Sequence, residues 1–331
     1  YMRDRMLALR SEVRHRPSRD VALRVGADVA LDHYDVHTPN FAEDADDQED
    51  FERFFPERTD LAMGVHGELA LEVARGISVT PGLRLDVYSS DGASRLGIDP
   101  RISARFEITP KLRTIHAFGI AHQPPSFVVP VPGFQLAGLR GGLQRSLQSS
   151  AGVEYDLPED FTGSLTLFQN VFFDMTDRLG GGGDDDDLDR RSLGSAVGAE
   201  VMLRRPLTQR LGGYFAYTLS RSTRSFGREH FPAAFDRTHV LNLALAYDLG
   251  RRWRAGSRLV YYSGFPAEEA TSTEVRSKSP KRVPDFYRVD LRLEKRWRLG
   301  ESGYWAFVVE VLNATLSKEP VDLNCDETGK C

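Results

Sequence analysis

The segment Val21-Ala-Leu-Arg-Val-Gly-Ala-Asp-Val-Ala-Leu-Asp32 decides the fold, because its side chains alternate with a period of two. The odd positions carry only Val, Leu and Ala, while the even positions include Arg24 and Asp28. Successive side chains of a β-strand point to opposite faces of its sheet. The pattern therefore predicts a strand with one apolar and one polar face.

The same alternation recurs along the whole chain and predicts about 14 strands. Apolar rows occupy alternate positions within 61–73, 83–87, 102–108, 241–247, 287–293 and 305–311. Many segments are close to the about 9 to 11 residues that a tilted strand needs to cross a bilayer. No sustained helical period is present, so we predict no helix of consequence. Alternation alone allows a soluble β-sandwich as well as a membrane barrel.

Composition argues against a helical membrane protein and against a nucleic-acid-binding protein. The 331 residues are 40% hydrophobic and 27% charged, and no run approaches the roughly 20 apolar residues of a membrane helix. A membrane barrel stays possible, since only every second strand residue faces lipid. The net charge is −5, with Lys and Arg scattered among Asp and Glu, so we predict no nucleic-acid partner.

The connections between the predicted strands alternate between short and long. The short ones are 16–20, 74–76, 109–111, 157–160, 204–209, 249–252 and 300–303, and the long ones are 33–58, 89–98, 122–142, 174–191, 222–235 and 265–284. Transmembrane barrels have tight periplasmic turns and long outer loops, whereas a sandwich has no reason to lengthen every second loop. The rhythm predicts an all-β, antiparallel, up-and-down transmembrane barrel.

Three stretches resemble the barrel of TonB-dependent outer-membrane receptors. The first reads Asp-Pro-Arg-Ile-Ser-Ala-Arg-Phe-Glu-Ile from Asp99 and leads through a tight turn to His122-Gln-Pro-Pro. The second runs from Phe235-Asp-Arg-Thr-His to Tyr262-Ser-Gly-Phe-Pro, and the third from Val283-Pro-Asp-Phe-Tyr to Val309-Glu-Val-Leu-Asn-Ala-Thr. Their order and spacing are similar to the C-terminal half of such a receptor, and the resemblance covers nearly the whole chain.

The resemblance implies a location, a domain plan and partners. The protein is expected in the bacterial outer membrane, with 1–331 forming a single partial barrel domain of roughly strands 8 to 21 out of 22. We expect the plug domain, the TonB-contacting segment and the last strand to lie outside this sequence. An open sheet of this kind leaves two unpaired edges in lipid, which is strongly unfavourable. The implied partners are the bilayer and lipopolysaccharide, the protein's own plug, the TonB complex and a solute.

The implied function is TonB-dependent uptake of a large or scarce solute, such as a siderophore–iron complex, cobalamin, a glycan or a peptide. Two alternatives are a passive porin-like channel formed by this chain and a surface interaction or adhesion module. No nucleophile elbow, P-loop or zinc-protease motif is present. We therefore predict no catalytic residues, no enzymatic activity and no metal centre.

Ligand contacts are predicted in the long loops, and we select five residues there: His122, Gln123, Phe127, Phe265 and Arg276. A second group, Asp236, Arg237 and His239, is placed where a long outer loop re-enters a strand. Those three side chains either form a charged clasp at the barrel rim or are solvated at the strand end. Gly264 and Pro266 are expected to end the preceding strand, since Pro withholds a ladder donor.

Two polar segments complete the predictions. The run Asp184, Asp185, Asp186 and Asp187 follows four glycines, and 43–50 is also acidic. Such segments either bind Ca²⁺, which prefers several oxygen ligands, or form solvated loops, which their composition favours. Cys325 and Cys331 are the two cysteines of the chain. Their close spacing in a polar segment favours a disulfide over two free thiols or a zinc site.

Overall fold

The structure is a computed structural model that describes residues 2–36, 57–90, 92–125, 139–175, 192–207, 210–267, 281–301 and 303–320. Fifteen β-strands account for most of these residues. They are β1 (Met2–His15), β2 (Val21–Val36), β3 (Arg58–Ala74), β4 (Ile77–Ser90), β5 (Ala93–Glu107), β6 (Leu112–Gln123), β7 (Gln144–Asp156), β8 (Thr162–Met175), β9 (Ser192–Arg205), β10 (Leu211–Phe226), β11 (Glu229–Pro232), β12 (His239–Gly250), β13 (Trp253–Tyr262), β14 (Phe286–Leu299) and β15 (Gly303–Val311). A 3₁₀ turn spans Leu139–Gly141. Within the described ranges, no helix is long and apolar enough to span a membrane.

The strands form one antiparallel meander. Fourteen of them pair in chain order, and the short β11 folds back on the tip of β10. In the described part of the chain, strands contact only the strands they pair with, so no second sheet packs against this one. That arrangement excludes a β-sandwich and confirms the up-and-down architecture. β1 and β15 form the two edges and do not pair with each other in the described residues.

Burial in the sheet is inverted relative to a soluble protein. Asp86 is 3% exposed and Glu294 is 5% exposed, whereas Leu167 is 56% exposed. The buried polar set is His66, Asp86, Ser90, Asp99, Gln144, Ser192, Asp236, Ser263, Asp290 and Glu294. Exposing so many large apolar side chains to water is unfavourable, and exposing them to lipid is not. The polar face is therefore the inner wall of a barrel and the apolar face meets the bilayer.

Register keeps the two faces separate across the sheet. On the inner face Arg24 lies opposite Glu68, and on the outer face Val25 lies opposite Gly67. A slip of one residue would move each apolar row to the inner wall. The hydrophobic pattern therefore fixes the pairing of every strand.

Aromatic side chains mark the two membrane interfaces. On β14 the outer-face residues Tyr287 and Trp297 are ten positions apart, which is about 33 Å along the strand. At the roughly 40° tilt of barrel strands, that corresponds to roughly 25 Å across the membrane, the height of the apolar band in such barrels. Trp253 and Tyr261 bracket the same band on β13.

The predicted rhythm of connections holds with one clear exception. Residues 89–98 were expected to form a long loop, but β4 continues to Ser90 and β5 starts at Ala93, and these two residues are paired. The reason is the Asp-Gly dipeptide at 91–92, since Gly92 has a φ of +70° and Asp-Gly favours tight hairpins. The predicted loop 222–235 is also partly strand, because β10 and β11 extend into it.

Charge on the outer face should destabilise this sheet in a position-dependent way. Leu245 lies near the middle of β12 on the outer face, while Asn242 of the same strand lies on the inner face. We expect Leu245→Arg to lower the free energy of unfolding of the intact protein in lipid by about 2–4 kcal/mol. Asn242→Arg should change it by less than about 1 kcal/mol. Equal losses in denaturant titrations would contradict this assignment of faces.

Candidate functional site

The rim of the barrel at the long-loop end of β10, β12, β13 and β14 contains a buried ion pair. Asp236 is 1% exposed, and its carboxylate accepts hydrogen bonds from Arg282 Nη2 and from the Ser222 backbone N–H at 2.6 Å. Arg221 Nη1 lies 3.4 Å from the same carboxylate. A buried carboxylate without such donors would be strongly unfavourable, so these three donors offset the desolvation of Asp236.

Arg282 joins three segments of the chain at this point. Its Nη1 donates to the carbonyl oxygens of Asp236 at 2.6 Å and Gly264 at 2.9 Å. The neighbouring bridge between Pro266 and Arg282 closes the base of the loop between β13 and β14. One guanidinium therefore connects the start of β12 to both sides of that loop.

Gly264 allows the two sides of the loop base to approach closely. A Cβ at this position would overlap the backbone carbonyl of Val283. The Gly264 N–H donates to Asp285 at 3.0 Å, and the Tyr261 hydroxyl donates to the same carboxylate at 2.7 Å. These hydrogen bonds, led by that of Tyr261, lower the pKa of Asp285. The side chain is thus an anion at neutral pH.

Arg237 faces a different set of neighbours from Asp236. Its guanidinium carbon lies 3.7 Å from the centroid of the Tyr262 ring and 5.3 Å from that of Phe265. Glu319 lies 3.7 Å from Arg237 Nη2 and accepts a hydrogen bond from the Tyr262 hydroxyl. The Arg237 guanidinium is thus stabilised by cation–π contact with two aromatic rings and by an ion pair with Glu319.

His239 starts β12 and lies beside Tyr217. The Tyr217 hydroxyl and His239 Nδ1 are 2.8 Å apart and the two rings are stacked with centroids 6.2 Å apart. Its backbone N–H donates to Ser263 Oγ at 3.0 Å. The three residues Asp236, Arg237 and His239 are thus all held at the rim, but each binds its own partners and the group does not form one cluster.

A second polar region covers the inner wall of β2 to β5. Arg84 donates to both oxygens of Asp28 at 2.8 Å and to both oxygens of Asp86 at 2.6 and 2.7 Å. Gly64 leaves the space that this guanidinium fills. Nearby, Glu68 accepts from Arg24 at 3.3 Å and from Arg101 at 2.7 Å. Such bidentate pairs fix the wall's geometry as well as its charge.

His122 and Gln123 lie at the outer end of β6. His122 Nδ1 and Asp99 Oδ1 are 2.6 Å apart, and Gln123 donates to Gln144 at 2.9 Å. His122 also lines an open cavity of about 180 Å³. The other lining residues are Arg95, Leu96, Leu143, Arg145 and Asp174. Phe265, the third predicted contact that the structure describes, lies instead beside Arg237, so the ligand predictions fall in two separate places.

The remaining predicted residues lie outside the described part of the chain. These are Phe127, Arg276, the run Asp184, Asp185, Asp186 and Asp187, and the pair Cys325 and Cys331. The ligand contacts, the Ca²⁺ alternative and the disulfide therefore stay predictions.

Sequence reasoning missed the residues that hold the rim together. Arg282 precedes the Val283-Pro motif by one position, yet its partner Asp236 is 46 positions away. The alternation places Asp28 and Arg84 on polar rows, but it does not show that they form a pair. One signal in the sequence could have predicted these pairs: residues of opposite charge occupy the inner rows of nearby strands, as Asp28, Arg84 and Asp86 do.

The geometry defines a class of protein. An antiparallel meander with a charged inner wall, an apolar outer face and loops gathered at one rim is the wall of a large outer-membrane β-barrel. The chain belongs to the TonB-dependent receptor-like β-barrel family, whose model matches residues 7–314. It is therefore an outer-membrane protein of the kind found in Gram-negative bacteria.

Solved structures have the same fold at low sequence identity. The ferric-catecholate import receptor Fiu of E. coli K12 matches with a TM-score of 0.68 and 11% identity, over 99% of this chain and 52% of the receptor. The FrpB iron transporter of Neisseria meningitidis (F5-1 variant) gives 0.65 and 14%, over 94% and 51%. A mutant of the ferric enterobactin receptor PfeA of Pseudomonas aeruginosa gives 0.63 and 14%, over 95% and 48%. The chain thus spans about half the length of these structures. A search of curated proteins by sequence finds no significant match.

Removing the Asp236 carboxylate should destabilise the rim. We expect Asp236→Ala to lower the free energy of unfolding by about 2–3 kcal/mol, because it leaves the Ser222 N–H and the Arg282 guanidinium without their acceptor. Denaturant unfolding of the intact protein measures this, and limited proteolysis should show faster cleavage between 264 and 285. Asp248→Ala is the control, since that half-buried carboxylate accepts one hydrogen bond from the Gly250 N–H and its loss should lower the free energy of unfolding by less than about 1 kcal/mol.

Gly264 should tolerate no side chain. We expect Gly264→Ala to separate the two sides of the loop base and to lower the thermal midpoint by several degrees, roughly the effect of 1–3 kcal/mol. Gly67→Ala is the matched change within β3, where the nearest atom to a new Cβ is 4.0 Å away. A Gly264→Ala protein as stable as Gly67→Ala would show that the close approach to Val283 is not required.

Proposed function

We propose that the intact protein takes up a large or scarce solute across the outer membrane, with energy supplied through TonB. The observation that carries the proposal is the inner wall, where buried charged side chains form an ordered, paired surface inside a barrel of the TonB-dependent receptor family. In this proposal the wall surrounds a plug domain, and the loops at the rim capture the solute. The proposal includes no enzymatic step.

An iron chelate is the solute class that the rim favours. Arg237 lies beside the rings of Tyr262 and Phe265, and an anionic solute would compete with Glu319 for its guanidinium. That chemistry suits an anionic chelate with aromatic or carboxylate ligands. The similar structures include a ferric-catecholate import receptor and a ferric enterobactin receptor, and their names support the same class. Cobalamin, a glycan or a peptide would make less use of a single cation beside rings.

The test is uptake of radiolabelled ferric chelates by a Gram-negative host that lacks its own receptors. We expect uptake that disappears when TonB is deleted. Arg237→Ala and Phe265→Ala should each raise the half-saturating concentration by about fivefold, the effect of losing roughly 1 kcal/mol of contact. Tyr287→Leu changes an outer-face aromatic on β14 and should leave uptake unchanged.

Other outcomes would assign the protein to a different class. Ion conductance by the purified intact protein, together with uptake that does not need TonB, would indicate a passive channel. Loop deletions that abolish cell adhesion and leave uptake intact would indicate a surface interaction module. Uptake that needs TonB but excludes ferric chelates would retain the transport proposal and overturn the solute class.

A further inference from the structure

All three tryptophans of the chain lie at the short-turn end of the sheet. They are Trp253 at the start of β13, Trp297 near the end of β14 and Trp305 near the start of β15. Trp297 and Trp305 lie opposite each other in the register. All three occupy the outer face: the rows of Trp297 and Trp305 continue with Leu or Val, and that of Trp253 continues with Ala255, Ser257 and Leu259. Tryptophan concentrates where membrane meets water, so these rings mark the periplasmic interface.

A lysine lies among these rings on the lipid-facing side of β14. Lys295 shares its row with Leu293 and Trp297 and lies opposite Trp253. Its ammonium lies 5.1 Å from the Trp253 ring and 5.9 Å from the Trp297 ring, and it donates to the Arg251 carbonyl at 2.5 Å. The side chain is therefore held at the interface by ring contacts and one hydrogen bond.

The adjacent turn adds two more cations. Arg251 and Arg252 form the two-residue turn between β12 and β13, with φ values of 49° and 65°, and both are exposed. In the described residues, neither arginine nor Lys295 has a carboxylate within 4.0 Å, although Asp248 lies near the end of β12 and Glu301 lies in the turn after β14. We call Arg251, Arg252, Trp253, Lys295 and Trp297 the basic–tryptophan patch.

Cations of the inner wall on the same strand are neutralised in a different way. Arg292 donates to Glu294 at 2.8 Å and to Glu310 at 2.5 Å, and Arg296 also donates to Glu294. On β14, the inner-face cations Arg292 and Arg296 are therefore paired with carboxylates, whereas the lipid-facing Lys295 is not. A cation that faces lipid at headgroup depth finds its natural counter-ion in a lipid phosphate.

We propose that the basic–tryptophan patch binds the headgroup of an anionic phospholipid in the periplasmic leaflet. The phosphodiester is recognised by Lys295 and by the guanidinium groups of Arg251 and Arg252, while Trp253 and Trp297 contact the upper acyl chain. A zwitterionic lipid carries its own cation, which the patch repels. The inference depends on the membrane orientation and not on solute uptake, so either proposal can fail without the other.

The experiment uses the intact protein in vesicles that contain acyl-brominated phosphatidylglycerol or acyl-brominated phosphatidylcholine. Bromine quenches nearby tryptophan fluorescence. The contribution of the patch is the difference between the protein and its Trp297→Phe variant. We expect phosphatidylglycerol to associate about fivefold more strongly than phosphatidylcholine, the preference that one basic residue near a headgroup supplies.

Two matched variants separate a lipid site from general electrostatics. Lys295→Gln should reduce the preference to less than about twofold, and Lys295→Arg should retain it. Arg254 follows Trp253 on β13 and lies on the inner face. Arg254→Gln therefore removes a nearby cation that does not face lipid, and it should leave the preference unchanged. If Lys295→Gln does not fold, Arg251→Gln is the replacement, with a smaller expected loss.

Three results would overturn the proposal. Equal quenching by the two lipids would show that Arg251, Arg252 and Lys295 point into water and do not contact a lipid headgroup. Equal loss in Lys295→Gln and Arg254→Gln would show a non-specific surface potential. A preference that disappears in Lys295→Arg would show that the size of the lysine, and not its charge, is the cause.

Discussion

Inside hydrocarbon every backbone N–H and C=O needs a partner from the protein itself, because no water is available to replace it. The rest of this structure depends on that constraint. It requires long strands paired on both sides, which the meander supplies from β2 to β14 apart from the short β11. It also relieves the side chains of forming a core, since one row faces lipid and the other faces the interior. Barrels meet this requirement by closing their sheets, which leaves no edge strand in lipid.

The polar inner wall is a consequence of the same constraint. Side chains that face inward are removed from lipid but lie close to one another, so their charges need partners on neighbouring strands. Arg84 donates four hydrogen bonds to two carboxylates in this way. The space for such a fork comes from Gly64 on the strand beside it. On this wall, a small residue on one strand therefore makes room for an ion pair on the next.

Strand identity, face and connectivity could be predicted from the sequence because they depend on local patterns. The alternation of residues 21–32 predicts β2, and the positions of the short turns predict which end is periplasmic. The exception at 89–98 was also local, since Asp-Gly at 91–92 favours a hairpin that a count of loop lengths overlooked. These features need only the period of the sequence and the chemistry of turns.

The rim could not be predicted in the same way, because its contacts join residues far apart in sequence. Asp236 was selected for its place at a strand start, yet its burial depends on Arg282, whose position follows from the register of β13 and β14 and the bridge at Pro266. Arg237 lies next to Asp236 in sequence and faces Tyr262 and Phe265 instead. These two adjacent residues thus have different roles: Asp236 holds the loop base together, and Arg237 lies beside aromatic rings. The two residues are neighbours in the sequence, so a sequence pattern does not separate their roles, whereas their side-chain contacts in the structure do.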